Sequence, residues 1–285
     1  MRFHQYTDVK QFYRDSYDVF MLHEAQNIIP LGNLIVGNAG ADKAGWRDPV
    51  HWFMATVVDR AGIRLAAMMT PPYKITLYAK NNENNEAALQ CLIDGIRQSG
   101  ISVPGVMTDK ALAERFARGY VGSSYKIACS QRIYELLRVN TEIPSMGKLR
   151  LARESDLSFL PYWIEGFNSD CFFTPYAVPT DDERARYEIA RKRMYILEAG
   201  GAPVSMTKIT RELQTACGVG YVYTPPWLRG KGYATSCVAG VSRLALKEGF
   251  TRCVLYTDLA NPTSNSIYQK IGYTPIGDSL DIEFL

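Results

Sequence analysis

The amino-acid sequence predicts an α/β (α+β) protein built as two domains. Three observations carry this expectation. The chain has 285 residues, against a common domain size of about 100–150. Short runs rich in β-branched and aromatic residues alternate with stretches whose apolar residues recur at helical spacing. A cluster of turn formers, NTEIPSMG (Asn140 to Gly147), separates two such series, so residues 1–143 and 144–285 are expected to fold as separate domains.

In the first half, Val9 to Leu22 reads as a helix, followed by another helix-like segment from Glu24 that Pro30 and Gly32 interrupt. WFMATVVD and GIRLAAMMT are strand candidates separated by Arg60 and Ala61, which predicts a hairpin. YKITLYAK adds a strand through Ile75, Leu77 and Tyr78. Beyond the polar NNENNE, Ala87 to Gln98 places Leu89, Leu92 and Ile96 near one helical face, and Gly100 stops the run. VPGVMTDKALAERFARGY reads as a helix with Thr108 or Asp109 as N-cap, and SYKIACSQRIYELLRV as strand.

The second half opens with KLRLARESDLSFLPYWIEGF, a strand and then a helix starting at Glu154 to Asp156. A charged helix over Asp181 to Arg191 precedes MYILEAG and APVSMTKIT, two strands joined at Gly200 and Gly201, and TACGVGYVYT is the next strand. A helix starts near Lys231 or Gly232, with Ala234, Cys237, Val238, Val241, Leu244 and Ala245 as its apolar stripe, and ends at Gly249. RCVLYTD, a helix from Pro262 to Ile271, and the alternating SLDIEFL complete the series.

Composition narrows the function. At 47% hydrophobic and 21% charged residues the chain is that of a globular protein, and a net charge of +3 is too small to indicate a nucleic-acid binder. The six cysteines include no CxxC pair, and no His/Cys/carboxylate cluster has ligand spacing, so reduced thiols and no metal are expected. The N-terminal residues lack the apolar core of a signal peptide, and NIIPLGNLIVGN is short and broken by Pro30 and Gly32. A cytoplasmic protein without a membrane span is the expectation.

The chemistry concentrates in TPPWLRGKGYATSC, Thr224 to Cys237. A helix start leaves backbone N–H groups without partners and favours a negative guest. Arg229 and Lys231 oppose the positive end of that dipole, a conflict that an anion between them would resolve. Gly230 and Gly232 suit close approach or positive φ. No GxxxxGK[ST] string occurs, and the residues after Gly232 neither complete GxGxxG nor suffice for the rest of a dinucleotide-binding sheet.

Arg229-Gly230-Lys231-Gly232-Tyr233-Ala234 resembles the Q/R-x-x-G-x-G/A signature of the GNAT superfamily of N-acetyltransferases, and NPTSNSIYQKIGY (Asn261 to Tyr273) resembles the family's later motif, in the family's order. The likeness covers roughly residues 148–285. The order of elements in 1–143, without such a loop, resembles the degenerate GNAT-like domain of tandem members. The resemblance implies two mixed, mostly antiparallel sheets flanked by helices, with residues 144–285 the catalytic domain.

It also implies acetyl-CoA as cosubstrate and transfer of the acetyl group to a primary amine by direct attack. The cofactor's pyrophosphate would meet Arg229, Gly230, Lys231, Gly232, Tyr233, Ala234 and Thr235; its pantetheine arm would lie along Tyr221, Val222 and Tyr223. Asn261, Ser264 and Asn265 are further candidate contacts, Asn261 having the second reading of a helix cap. Tyr268 would protonate the leaving thiolate, a role suited to a phenol that stays protonated at neutral pH, although its position also suits a core tyrosine. For the base, Glu165 is the named candidate beside Glu198 and Glu212; each also reads as a surface charge. His4, His23 and His51 all fall in the first half. The expected partner is a small-molecule or peptide amine, with no nucleic acid and no membrane, and a homodimer is open to it. Residues 1–143 would wall the acceptor cleft or mediate association. A non-catalytic CoA sensor and a tandem transferase using aminoacyl-tRNA are the alternatives.

Overall fold

The computed structural model describes residues 1–40, 48–80, 85–172 and 178–285. It contains two compact units: residues 1–133 with 257–260 and 276–285, and residues 134–256 with 261–275. No helix among the described residues is long and apolar enough to cross a membrane.

The first unit runs β1 (Arg2–Tyr6), α1 (Val9–Met21), α2 (Ile28–Ala39), β2 (Phe53–Asp59), β3 (Gly62–Met69), β4 (Thr76–Ala79), α3 (Glu86–Ser99), β5 (Gly105–Asp109), α4 (Lys110–Val121) and β6 (Tyr125–Leu136). β1-β2-β3-β4 pair antiparallel, with the expected hairpin turning after Asp59. The apolar stripe of α3 (Leu89, Leu92, Ile96) packs with Val57, Leu65 and Phe116 in one core. Asp109 caps α4 by accepting from the N–H groups of Ala111 and Leu112. Residues 81–84 of the polar NNENNE lie outside the described residues.

Three features of this unit differ from expectation. Pro30 does not interrupt α2; it occupies the first turn, where its missing N–H has no intrahelical acceptor to lose. β1 is a strand although its residues are mostly polar: it lies at the sheet edge, where Phe3 and Tyr6 turn inward, Phe3 resting where a Cβ on Gly95 of α3 would sit. β5 is a strand rather than the lead-in to a helix, because its partner comes from the far end of the chain.

The second unit contains β7 (Lys148–Leu151), α5 (Leu160–Phe172), α6 (Val178–Ala190), β8 (Met194–Ala199), β9 (Ala202–Glu212), β10 (Ala216–Tyr223), α7 (Tyr233–Lys247), β11 (Arg252–Asp258) and α8 (Pro262–Ile271). β7 to β10 pair antiparallel in sequence order, and β10 runs parallel to β11. Successive strand residues face opposite sides. Met194, Ile196 and Met206 pack with Leu160, Trp163 and Ile164 of α5, whereas Tyr195, Ile209 and Cys217 pack with Val238 and Val241 of α7 and Ile271 of α8. Gly200 and Gly201, at φ 60° and 80°, make the expected turn between β8 and β9. Glu154 to Ser158 form a 3-10 turn and the helix proper begins at Leu160. Asp156 is occupied there: it is buried, accepts two hydrogen bonds from Arg150 of β7 at 2.6 and 2.8 Å, and takes the N–H of Arg153.

The final strand, β12 (Thr274–Phe284), pairs with β5 and lends Leu280 and Ile282 to the core of the first unit. The units therefore differ from a single cut at 143/144: the chain passes from the first to the second at Tyr134, inside β6, and returns at 257–260 and again at 276–285. Turn formers mark a local break. Strand pairing between residues far apart in sequence sets the unit.

Candidate functional site

The candidate site is built around β10. Its pairing with β11 covers Ala216 to Gly218 against Arg252 to Val254, and among the described residues no pairing between these two strands continues past Gly218. On its other edge the register with β9 shifts between Gly220 and Tyr223. Tyr221 sits in that bulge at φ 54°, a left-handed conformation that side chains rarely adopt and that costs on the order of 1–3 kcal/mol. The strand thus bends away from β11 and leaves one edge of backbone groups for a guest.

From Tyr223 the chain is tied down at once. The Ser205 hydroxyl donates to the carbonyl of Tyr223 at 3.0 Å, and that of Thr224 donates to Ser205 Oγ at 2.9 Å. One 3-10 turn, Pro226–Leu228, leads into the glycine loop. Gly230 and Gly232 have φ 77° and 81°, so these two positions require glycine for conformation, and nothing lies where their Cβ atoms would stand. Helix α7 starts at Tyr233 with Gly232 as N-cap and no acidic residue in its first turn. Ser236 donates to the Gly232 carbonyl at 3.0 Å. Among the described residues, the N–H groups of Gly230, Lys231, Gly232, Tyr233, Ala234 and Thr235 have no acceptor. A row of unpartnered donors at a helix start fits a phosphate.

The two loop cations differ. Arg229 is engaged: Nε donates to the Thr224 carbonyl at 2.9 Å, Nη2 meets Asp170 Oδ2 at 2.5 Å, and the guanidinium lies 5.7 Å from the Tyr223 ring centre. It fastens the loop to β10 and α5. Lys231 is exposed and has no ion pair among the described residues.

The later motif folds as α8. Asn261 caps it, its Oδ1 accepting from the N–H of Ser264 at 3.0 Å. Asn265 accepts from the Tyr134 hydroxyl at 3.1 Å and donates to the Asn261 carbonyl at 2.7 Å. Tyr268 is 8% exposed and belongs to the core on the α7/α8 face, 5.9 Å from Tyr273 and 6.3 Å from Tyr134 between ring centres. Burial raises its phenol above the usual range, so it is protonated at neutral pH.

Glu165 is half-buried on α5 and has no ion pair or hydrogen bond among the described residues. Glu198 and Glu212 are committed to Arg150 at 2.7 Å and Arg193 at 2.5 Å. His4, His23 and His51 lie in the first unit. The sequence reading passed over a buried pair beneath α6, Lys208 of β9 and Glu188, which are hydrogen-bonded to each other. Its signal was available: strand alternation puts Lys208 on the apolar face of Met206.

Residues 163–273 match the acetyltransferase (GNAT) family. No curated protein matches the chain. Among solved structures, an acetyltransferase from the GNAT family of Colwellia psychrerythraea is 15% identical and aligns over 100% of both chains with a TM-score of 0.60. A GCN5-related N-acetyltransferase from Sphaerobacter thermophilus is 12% identical, covers 99% of this chain and 96% of its own, and has a TM-score of 0.63. A Drosophila protein is 11% identical with a TM-score of 0.66, covering 99% and 98%. These alignments span the whole length, so the first unit shares the fold of such chains as well.

Proposed function

From the match of residues 163–273 to the GNAT acetyltransferase family, we propose that the second unit binds acetyl-CoA and passes its acetyl group to a primary amine by direct attack. The observation that carries this is the run of unpartnered N–H groups from Gly230 to Thr235, beside a strand whose edge is open past Gly218. Six acceptor-seeking donors with both glycines at positive φ form a cradle for a diphosphate, and exposed Lys231 adds charge. The open edge of β10 at Tyr221, Val222 and Tyr223 takes the extended pantetheine arm as a strand edge takes another strand.

Acetyl-CoA supplies an activated thioester. The chain supplies position and charge. A backbone N–H near Val222 stabilises the oxygen as negative charge develops, and Tyr268 hands a proton to the departing sulfur. Holding amine and thioester together contributes much of the rate through effective concentration. The capping role of Asn261 and the Tyr134–Asn265 bond hold α8, and with it Tyr268. Asn261, Ser264 and Asn265, at its start, are the side chains of the later motif proposed to contact the cofactor.

Titration calorimetry with acetyl-CoA tests the reading: one site per chain is expected, and no heat of binding ends it. A mass-spectrometric screen of primary amines with acetyl-CoA then identifies the acceptor by a gain of one acetyl group.

A further inference from the structure

Strand β9 sends Met206 and Lys208 to the same face, under α5 and α6, but only one of them is apolar. Lys208 is 6% exposed and Glu188 0%. Lys208 Nζ donates to Glu188 Oε1, and Arg184 Nε lies 3.4 Å from the same oxygen. Glu188 Oε2 is buried and, among the described residues, accepts no hydrogen bond. An unsatisfied buried acceptor is destabilising, and a buried ion pair is commonly no more stable than apolar side chains of like volume. Stability therefore does not account for the pair.

Its location does. Lys208 Nζ lies 5.0 Å from the ring centre of Tyr221, the residue held at φ 54° in the β10 bulge. The Arg184 guanidinium donates to the Tyr221 hydroxyl, and Phe167 of α5 stacks on its ring at 4.8 Å. Backbone strain, a desolvated lysine and an orphaned carboxylate oxygen thus converge next to Val222, beside the open stretch of β10. The charged and titratable groups facing Lys208 are Glu188 and Arg184 from α6, Arg191 in the turn just after it and Tyr221 from β10; β8 presents apolar Met194 in register with it. Burial foremost, with the two arginines, pushes the Lys208 amine down to about 8 against the pull of Glu188.

We propose that Lys208, held and tuned by Glu188, is the proton acceptor for the incoming amine, an assignment that rests on the acetyl-transfer reading of this site. The neutral Nζ takes one proton from R–NH3+. The freed lone pair forms the C–N bond while the C–S bond breaks. The second nitrogen proton, released as the amide forms, replaces the one that Tyr268 gives to sulfur, and the proton on Lys208 returns to solvent. Glu188 is a positioning residue: it orients Nζ and sets its proton affinity, and Oε2 remains for an N–H of the ligand.

Two measurements test this. The first is kcat/KM against pH for the amine turned over fastest in the screen. A rising limb with midpoint near 8 is expected. Lys208→Arg, which keeps the charge but cannot give up its proton, is expected to lose that limb and at least about 10²-fold in rate. Glu188→Gln should move the limb to lower pH, and Glu165→Gln should leave it in place. The second needs no acceptor: an NMR titration of [ε-15N]lysine-labelled protein, with the Lys208 signal assigned by its absence in Lys208→Arg. A midpoint near 8 supports the proposal, and one above about 10, the ordinary lysine value, overturns it. An unchanged profile in Lys208→Arg, or loss of the limb in Glu165→Gln, also overturns it. Calorimetry separates the two readings: failure of wild-type protein to bind acetyl-CoA defeats the transferase reading, whereas binding with a Lys208-independent profile defeats this one alone.

Discussion

Replacing Lys208 by Met would leave Glu188 a buried carboxylate with Arg184 at 3.4 Å as its remaining cation. Removing one partner of a buried pair costs about 3–5 kcal/mol, while replacing both by apolar side chains is often neutral. Urea unfolding should therefore show Lys208→Met strongly destabilised and Lys208→Met/Glu188→Leu close to wild type. The pH dependence has a definite sign. With the folded amine lowered to about 8, the unfolded chain binds more protons at Lys208 between that value and its ordinary ~10.4, so stability rises with pH across this window. The rise should be absent from the double variant. At Tyr268, Phe keeps the ring in the core and removes only the hydroxyl. Turnover should fall by about 10²-fold or more, with acetyl-CoA binding and unfolding midpoint little changed.

At the scale of elements, the glycine loop and the helix it launches act as one device. Gly232 is both the N-cap of α7 and a positive-φ position, so Gly232→Val strains the backbone that aims the first-turn N–H groups. Calorimetry should show acetyl-CoA affinity lowered at least about tenfold, a loss of ~1.4 kcal/mol. The start of this helix was legible in the sequence because its apolar spacing and two glycines are local signals. Arg229 was legible only as a cation. Its ties to Thr224 and Asp170 depend on where α5 packs against β10, through a close approach in which the Tyr223 hydroxyl occupies the place of a Cβ on Gly166. Strand β5 shows the same limit. Nothing local in the sequence marks Gly105, yet it is there because the backbone oxygen of Ile282 in β12 would lie 2.1 Å from any Cβ.

For the whole molecule, the C-terminal strand joins the core of the first unit, where Ile282 is fully buried. Ile282→Ala should cost about 2–5 kcal/mol, and hydrogen exchange should report the loss in residues 1–133 rather than in α7 and β9. The sequence by itself determined the mixed α/β class, nearly every helix, the hairpins and the glycine turn that launches α7, because each rests on spacing and turn chemistry within a few residues. Only the tertiary structure decided which unit the last strand completes, which carboxylates are already paired, and that a lysine of β9 and a glutamate of α6 meet without solvent beside Tyr221. Burial and charge pairing are properties of residues brought together from distant parts of the chain, and no local pattern encodes the partner.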